Sequence, residues 1–247
     1  HFRDSTNRLI VMYGDLVCNM NLSRLIRFHD AHDGIASLTV HPNDHPFDSD
    51  LLDVRSDGRV THVHKKPHPE GAWLGNLVNA AVYVIDRKVL DYVPRVKSDW
   101  MHDVFTDHFL RRQKVYAYRT SEFIKDMGTA ARLEETEKSV RSGRYDAWTY
   151  EHKRPCIFID RDGTINRHVE LCHTLNEFEL LEGAAQAIAM INRSEYHAIV
   201  ITNQPVVARG LCNLDELRQI HLKMETLLGR EGAYVDGLYF CPHHPHS

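Results

Sequence analysis

No apolar run in this sequence approaches the ~18 residues that a membrane-spanning helix needs, and no stretch has the make-up of a signal peptide. Nothing therefore points to a membrane partner. Cysteines are few: there are five, odd in number and scattered, so a disulfide framework has no basis and a reducing cytoplasm is the expected compartment. Neither sign of charge is in large excess. Thirty Lys and Arg stand against 34 Asp and Glu, for a net charge of −4, which supplies no basic face for nucleic acid. Internal repeats and low-complexity runs are also missing. What remains is an ordinary globular composition, 43% apolar and 26% charged, in 247 residues, enough for one or two domains. Histidines number 18, and for any one of them a surface or turn position is the default over metal ligation. The chain opens on His1 rather than Met and stops in the motif-like tail Cys241–Ser247, so the expectation is a fragment of a longer protein, cut at both ends.

The first part alternates strand and helix patterns. Leu9–Tyr13 reads as a buried strand ending in Gly14-Asp15. Leu22, Leu25, Ile26 and His29 share one helical face, with Asn21 or Asn19 as cap and Gly34 as terminator. Strands follow at Ile35–Val40, Leu51–Val54, Val60–Val63 (after a turn at Ser56–Arg59), Leu77–Ile85 and Val115–Tyr118. Helical spacing marks Arg87–Tyr92, Trp100–Arg112 and Ala130–Ser142. This order predicts an α/β domain with a mainly parallel sheet. Four motifs in sequence, Tyr13-Gly14-Asp15, Lys66-Pro67, Asn79–Ile85 and Lys125-Asp126-Met127-Gly128-Thr129, resemble those of sugar-phosphate nucleotidyltransferases, nearest to the heptose-1-phosphate guanylyltransferase branch. The resemblance implies that Asp15 and Asp126 hold Mg²⁺ on a nucleoside triphosphate, that Lys66 neutralises a sugar phosphate, and that Asn79 holds the sugar. On its own, Asp15 is also a plausible helix-leading turn residue and Lys66 a solvated loop lysine. Lys65 stands where that family usually has Glu, and the family's Gly-rich phosphate loop lies before residue 1.

Residues 146–154 have no apolar period and read as a linker between a domain at 1–145 and another at 155–247. The second opens on Cys156–Ile159, apolar enough for a parallel strand covered on both faces, and runs into Asp160-Arg161-Asp162-Gly163-Thr164. Two acids at a strand end suit a divalent cation or a phosphate, while Asp-Gly is also common in plain turns, so the pattern alone leaves both open. A helix around Ala187–Ile191, a second buried strand His197–Ile201 ending in Thr202-Asn203-Gln204, a helix Leu214–Leu228 with an Asn213/Glu216 capping box, and a strand Val235–Phe240 follow. If the two strands are neighbours, their polar ends meet, because ligands of open parallel sheets sit at strand carboxyl ends.

Asp160–Asn166, Ile201–Gln204, Ala208-Arg209-Gly210 and Cys241-Pro242-His243-His244-Pro245 together resemble the haloacid-dehalogenase phosphatases, close to those that act on heptose 1,7-bisphosphate. The resemblance implies two Rossmann-like three-layer α/β domains, both incomplete. It casts Asp160 as nucleophile and Mg²⁺ ligand, and Asp162 as acid–base and main-chain Mg²⁺ ligand. Thr202, Asn203, Gln204 and Arg209 fall to phosphate and substrate, and Cys241 and His243 become half of a structural Zn²⁺ site. Without it, Cys241-x-His243 is a Pro-rich turn with exposed histidine. The other cysteines, Cys156, Cys172 and Cys212, read as buried or partly buried thiols. His168, Leu171 and Pro205-Val206-Val207 depart from the family's usual residues. The resulting expectation is a heptose-bisphosphate 7-phosphatase fused to a heptose-1-phosphate nucleotidyltransferase, with small-molecule sugar phosphates and nucleoside triphosphate as partners and little activity in the fragment alone. The alternatives are a histidinol-phosphate phosphatase, or a phosphatase joined to a non-catalytic sugar-nucleotide binding domain.

Overall fold

A computed structural model describes residues 7–244. His1, which figured in the reading of the N-terminus, and Pro245, His246 and Ser247 of the tail motif lie outside the described residues. The chain divides into two compact units. One comprises the chain through His41, with Asp50–Lys66 and Leu77–Lys153; the other comprises Pro42–Ser49, Pro67–Asn76 and the chain from Arg154 onward. Among the described residues no helix is long and apolar enough to cross a membrane.

In the first unit, β1 (Arg8–Met12), β2 (Leu16–Cys18), α1 (Leu22–Asp30), β3 (Ala36–His41), β4 (Leu51–Val54), β5 (Val60–His64), β6 (Val78–Asp86), α2 (Asp107–Arg112), β7 (Val115–Arg119), β8 (Ile124–Asp126), α3 (Ala130–Arg141) and α4 (Arg144–Ala147) follow in order. The main sheet runs β5-β4-β6-β3-β7, with β1 also on β6, and β2 pairs with β8 in a separate ribbon. Strand β6 organises it. Its residues alternate between two cores: Tyr83 and Ile85 pack with Phe105 and Phe109, while Val82 and Val84 pack with Leu25 and Tyr118. Helix α1 is capped as its sequence predicts, with the Asn21 side chain accepting from Arg24 N at 3.2 Å.

Three expectations change here. The sheet is mainly antiparallel: only the β3–β7 ladder is parallel, and β1–β6, β3–β6, β4–β5 and β4–β6 are antiparallel. Helix α1 ends at Ala31, not at Gly34. Gly34 serves close approach instead, since a Cβ there would lie 2.6 Å from the Tyr116 ring. The Trp100–Arg112 pattern splits into a single π turn at Trp100–Val104, capped by Asp99, and α2, because Thr106 caps a new helix by accepting from Phe109 N at 3.4 Å.

The second unit holds β9 (Cys156–Ile159), α5 (Ala184–Asn192), β10 (His197–Asn203), α6 (Leu214–Arg230) and β11 (Gly237–Cys241). Its sheet is parallel throughout, in the order β11-β10-β9. Ala198 and Val200 of β10 are buried in one core with Ile188 of α5 and Ile220, Met224 and Leu228 of α6. The opposite face is not covered among the described residues: Phe158 is 66% exposed and Tyr239 64%, with Ile201 exposed beside them. The reading of β9 as a strand covered on both faces, and of β10 as fully buried, is therefore corrected. Both helices lie on one side, and β9 is an edge strand whose Cys156 is exposed rather than buried. Within this unit α6 also grips residues 73–76. Thr226 Oγ1 accepts from Leu74 N at 2.8 Å and donates to Leu74 O at 2.9 Å, and Glu225 accepts from Asn76 N at 2.7 Å.

Candidate functional site

In the second unit the chain leaves β9 at Ile159 and turns at once. Ile165 N and Asn166 N both donate to Arg161 O, and Gly163 N donates to Asn166 O at 2.9 Å. Gly163 has φ +82°, a left-handed conformation that glycine adopts without penalty. The chain thus curls tightly over Arg161–Gly163. It places Asp160 and Asp162 on one cleft with Thr202, Asn203 and Gln204 from the end of β10, in a volume of about 450 Å³ that His168 and Leu171 also line. Register explains the meeting. β9 and β10 are parallel neighbours, with Val200 opposite Ile159, so their carboxyl ends lie side by side. Asp160 faces solvent, and its Oδ1 accepts from Arg161 N at 2.8 Å.

Asp162 is held from several sides. Arg161 Nη2 donates to both of its oxygens at 2.9 Å, and Arg161 Nε adds a third bond at 3.2 Å. Asn166 Nδ2 donates to Oδ1 at 3.0 Å and Gln204 Nε2 to Oδ2 at 2.7 Å. Gln204 Nε2 also donates to Thr202 Oγ1, and Gln204 Oε1 accepts from Arg161. Gln204 is thus a buried part of the cleft wall, with its amide engaged in orienting Asp162 and Thr202.

Arg161, Asn166 and His221 were not singled out from the sequence. Arg161 is fully buried, and its Nη1 meets His221 Nε2 at 3.3 Å. A guanidinium can be buried at tolerable cost only when several acceptors face it, and Asp162, Gln204 and His221 do so. Burial and, secondarily, the Arg161 charge push the His221 pKa down to about 3, so the ring is neutral and accepts from Arg161. The available signal was His221's place on the apolar stripe of α6, with Leu217, Met224 and Leu228.

Three sequence-assigned residues stand apart from the cleft lining. Arg209 Nη2 lies 3.3 Å from His244 Nε2. Cys241 and His243 are exposed at the end of β11, and among the described residues no group of three or more His, Cys, Asp or Glu is placed to hold a metal. Cys172 is buried, which pushes its thiol pKa up to about 11 and makes it inert.

The first unit forms its own acidic site. The β2–β8 ribbon sets Leu16 opposite Asp126, and Met127 N donates to Asp15 O at 2.8 Å. Both carboxylates then face Gly128: a Cβ built there would lie 3.4 Å from Asp126 Oδ1 and 3.7 Å from Asp15 Oδ2. Two hard oxygen donors are the protein's usual contribution to Mg²⁺, which completes its shell with water and phosphate, so this pair fits that ion. Lys66 and Asn79 meet through Asp50, whose Oδ1 accepts from Lys66 N at 3.1 Å and whose carbonyl accepts from Asn79 N at 3.0 Å. Asn79 Oδ1 accepts from Ala81 N at 3.1 Å. Ala81 has φ +54°, which is costly for a residue with a Cβ. It sits where the β3–β6 register shifts, a bulge of the kind that re-aims side chains beside sites.

The fold and the two sites define a class: a two-unit α/β protein that gathers aspartates at strand ends, as phosphoryl chemistry requires. The chain belongs to the nucleotidyl transferase family, whose model matches residues 1–143. Over 91 residues the chain is 35% identical to the D-glycero-beta-D-manno-heptose-1,7-bisphosphate 7-phosphatase of Photorhabdus laumondii, covering 37% of this chain and 48% of that protein. The enzyme of the same name from Rhodopseudomonas palustris is 40% identical over 92 residues, covering 37% of this chain and 51% of it. Among solved structures, the D,D-heptose 1,7-bisphosphate phosphatase from B. bronchiseptica, complexed with magnesium and phosphate, is 36% identical with a TM-score of 0.36. That match covers 37% of this chain and 51% of the other. The chain spans about half the length of the curated relatives it matches.

Proposed function

We propose that this chain carries two consecutive steps of nucleotide-activated heptose synthesis. A phosphatase unit removes the 7-phosphate of a heptose 1,7-bisphosphate, and a transferase unit joins the resulting 1-phosphate to a nucleotide from a nucleoside triphosphate. The observation that carries this reading is the meeting of Asp160, Asp162, Thr202, Asn203 and Gln204 on one cleft at the ends of two adjacent parallel strands. The names of the curated relatives that the chain matches support the choice of sugar.

Asp160 is the residue for in-line attack, since it is exposed to the cleft and its carboxylate carries a single main-chain hydrogen bond in the structure. Attack forms an aspartyl-phosphate, which water then hydrolyses. Asp162 gives a proton to the leaving oxygen and takes one from the water, and it must release one of its donors to do so. The Thr202 hydroxyl and the Asn203 main-chain N–H bind phosphate oxygens. Arg209 stays a substrate contact by resemblance alone. The Asp160 carboxylate and Asp162 carbonyl would hold Mg²⁺ here, as Asp15 and Asp126 would in the transferase unit. Bound Mg²⁺ supplies charge neutralisation at phosphorus in both. Lys66 and Asn79 position the sugar phosphate. Cys241 and His243 offer zinc-type donors, but as two ligands they do not close a tetrahedral site, and no step depends on them. All substrates are small, water-soluble anions, which favours the cytoplasm.

The test is a trapping experiment on this chain. Heptose 1,7-bisphosphate labelled at the 7-phosphate is added, the mixture is quenched, and the peptide containing Asp160 is examined for a hydroxylamine-labile acyl phosphate. Label on that peptide, lost in Asp160→Asn, supports the reading. Label that persists in Asp160→Asn removes Asp160 as nucleophile.

A further inference from the structure

Arg132 lies in the first turn of α3, and its Nη1 donates to Asp126 Oδ1 at 2.8 Å. Its main chain is anchored, since Arg132 N donates to the capping Thr129 hydroxyl at 3.2 Å. Its side chain is 27% exposed, so the guanidinium reaches solvent from that anchor. Gly128 N donates to the same Asp126 oxygen at 3.3 Å. Asp126 Oδ1 is therefore already met by two donors on the side where the Asp15 carboxylate also faces. A divalent cation at that oxygen competes with the guanidinium, because both draw on its lone pairs and carry like charge.

We propose that Arg132 is the exchangeable counter-ion of the Asp15–Asp126 pair. It neutralises the pair when no divalent cation is bound, and it moves to triphosphate oxygens when a cation takes Asp126. The inference rests on the transferase reading of the acid pair and adds to it a residue that reading did not assign. The chemistry suits the exchange. A planar guanidinium pairs with carboxylate and with phosphate through the same two-pronged geometry, so it can pass from one to the other. The start of a 12-residue helix supplies main-chain N–H groups and a positive dipole end that also favour the incoming anion. Partial exposure makes the existing pair weak enough to be displaced.

The experiment follows Mn²⁺ by electron paramagnetic resonance in the full chain, alone and with inorganic tripolyphosphate, for wild type, Arg132→Met, Arg132→Lys and Asp126→Asn. The relevant site is the one removed by Asp126→Asn. Without the anion, Arg132→Met should bind Mn²⁺ about fivefold tighter, since a competing cation is gone, and Arg132→Lys should restore most of the competition. With tripolyphosphate, Arg132→Met should hold the Mn²⁺–anion pair about tenfold more weakly than wild type. Unchanged or weaker Mn²⁺ binding in Arg132→Met overturns the exchange and leaves the acid pair as a metal site. Equal retention of the anion in wild type and Arg132→Met, or none in either, overturns the transfer to phosphate. Identical Mn²⁺ binding by wild type and Asp126→Asn overturns the transferase reading itself, and the inference with it.

Discussion

Replacing His221 with Gln tests whether the loop after β9 in the second unit is built around a neutral imidazole. Gln keeps a carbonyl acceptor for Arg161 and cannot titrate. In the folded chain His221 is buried against Arg161, and its pKa is pushed from 6.5 to about 3. In the unfolded chain it returns to about 6.5. The unfolded state therefore binds a proton below pH 6.5 that the folded state refuses until about pH 3. Unfolding gains from acid, so this group lowers stability as pH falls, by about 1.4 kcal/mol per pH unit across that window, and has no effect above it. Between pH 6.5 and 5 the wild type should lose roughly 2 kcal/mol from His221, and His221→Gln should not. At pH 7 the variant should be less stable by about 1–2 kcal/mol, because the ring packs on Phe240 at a centroid distance of 5.3 Å. The difference between the two proteins should therefore shrink on acidification. Urea melts at pH 7, 6 and 5, followed by the fluorescence of Trp73 with Trp100 and Trp148 changed to Phe, report on the second unit. Other titrating groups are common to both proteins and cancel in the difference. A difference that stays constant within about 0.5 kcal/mol over this range refutes a buried neutral His221.

Arg161→Met should destabilise the same unit by about 3–5 kcal/mol, because it leaves Asp162 without its cation and His221 without its donor; a loss under about 1 kcal/mol in the same melt contradicts the brace. Thr226→Val keeps shape but removes both bonds to Leu74, and should cost about 1–3 kcal/mol. Unaltered stability there means that α6 does not clamp residues 73–76.

Local rules made much of this molecule readable. Asn21 caps α1, and the Asn213/Glu216 capping box starts α6 with reciprocal bonds of 2.8 and 2.9 Å. The hairpin of β4 and β5 turns at Gly58, as its turn residues indicate. These signals lie within a few residues of one another. Pairing across the chain is different. Nothing local tells β3 to run antiparallel to β6 and parallel to β7, so alternating strands and helices point to a parallel sheet that the fold does not form. The same limit applied to β9. Its apolar run fits two-sided burial, but where helices land is decided by connections far along the chain. At the cleft of the second unit, residue types and spacing point to Asp160, Asp162, Thr202 and Asn203, which the fold does bring together. Arg161 carries no such local sign, because an arginine between two acids reads as a surface residue until its burial is known.

Arg161 and Arg132 also show how burial decides what an arginine beside an aspartate does. Each donates to an aspartate in a candidate site, at 2.9 Å to Asp162 and 2.8 Å to Asp126. Arg161 is sealed at 0% exposure and shared with Gln204 and His221. Withdrawing it would strand a carboxylate, an amide oxygen and an imidazole at once, each buried or half-buried, so it is fixed for the life of the fold. Arg132 is partly solvated, and water can take up its bonds as it leaves. The two therefore separate by experiment: loss of Arg161 is felt in stability before any ligand is added, and loss of Arg132 is felt in cation and anion affinity with the fold intact.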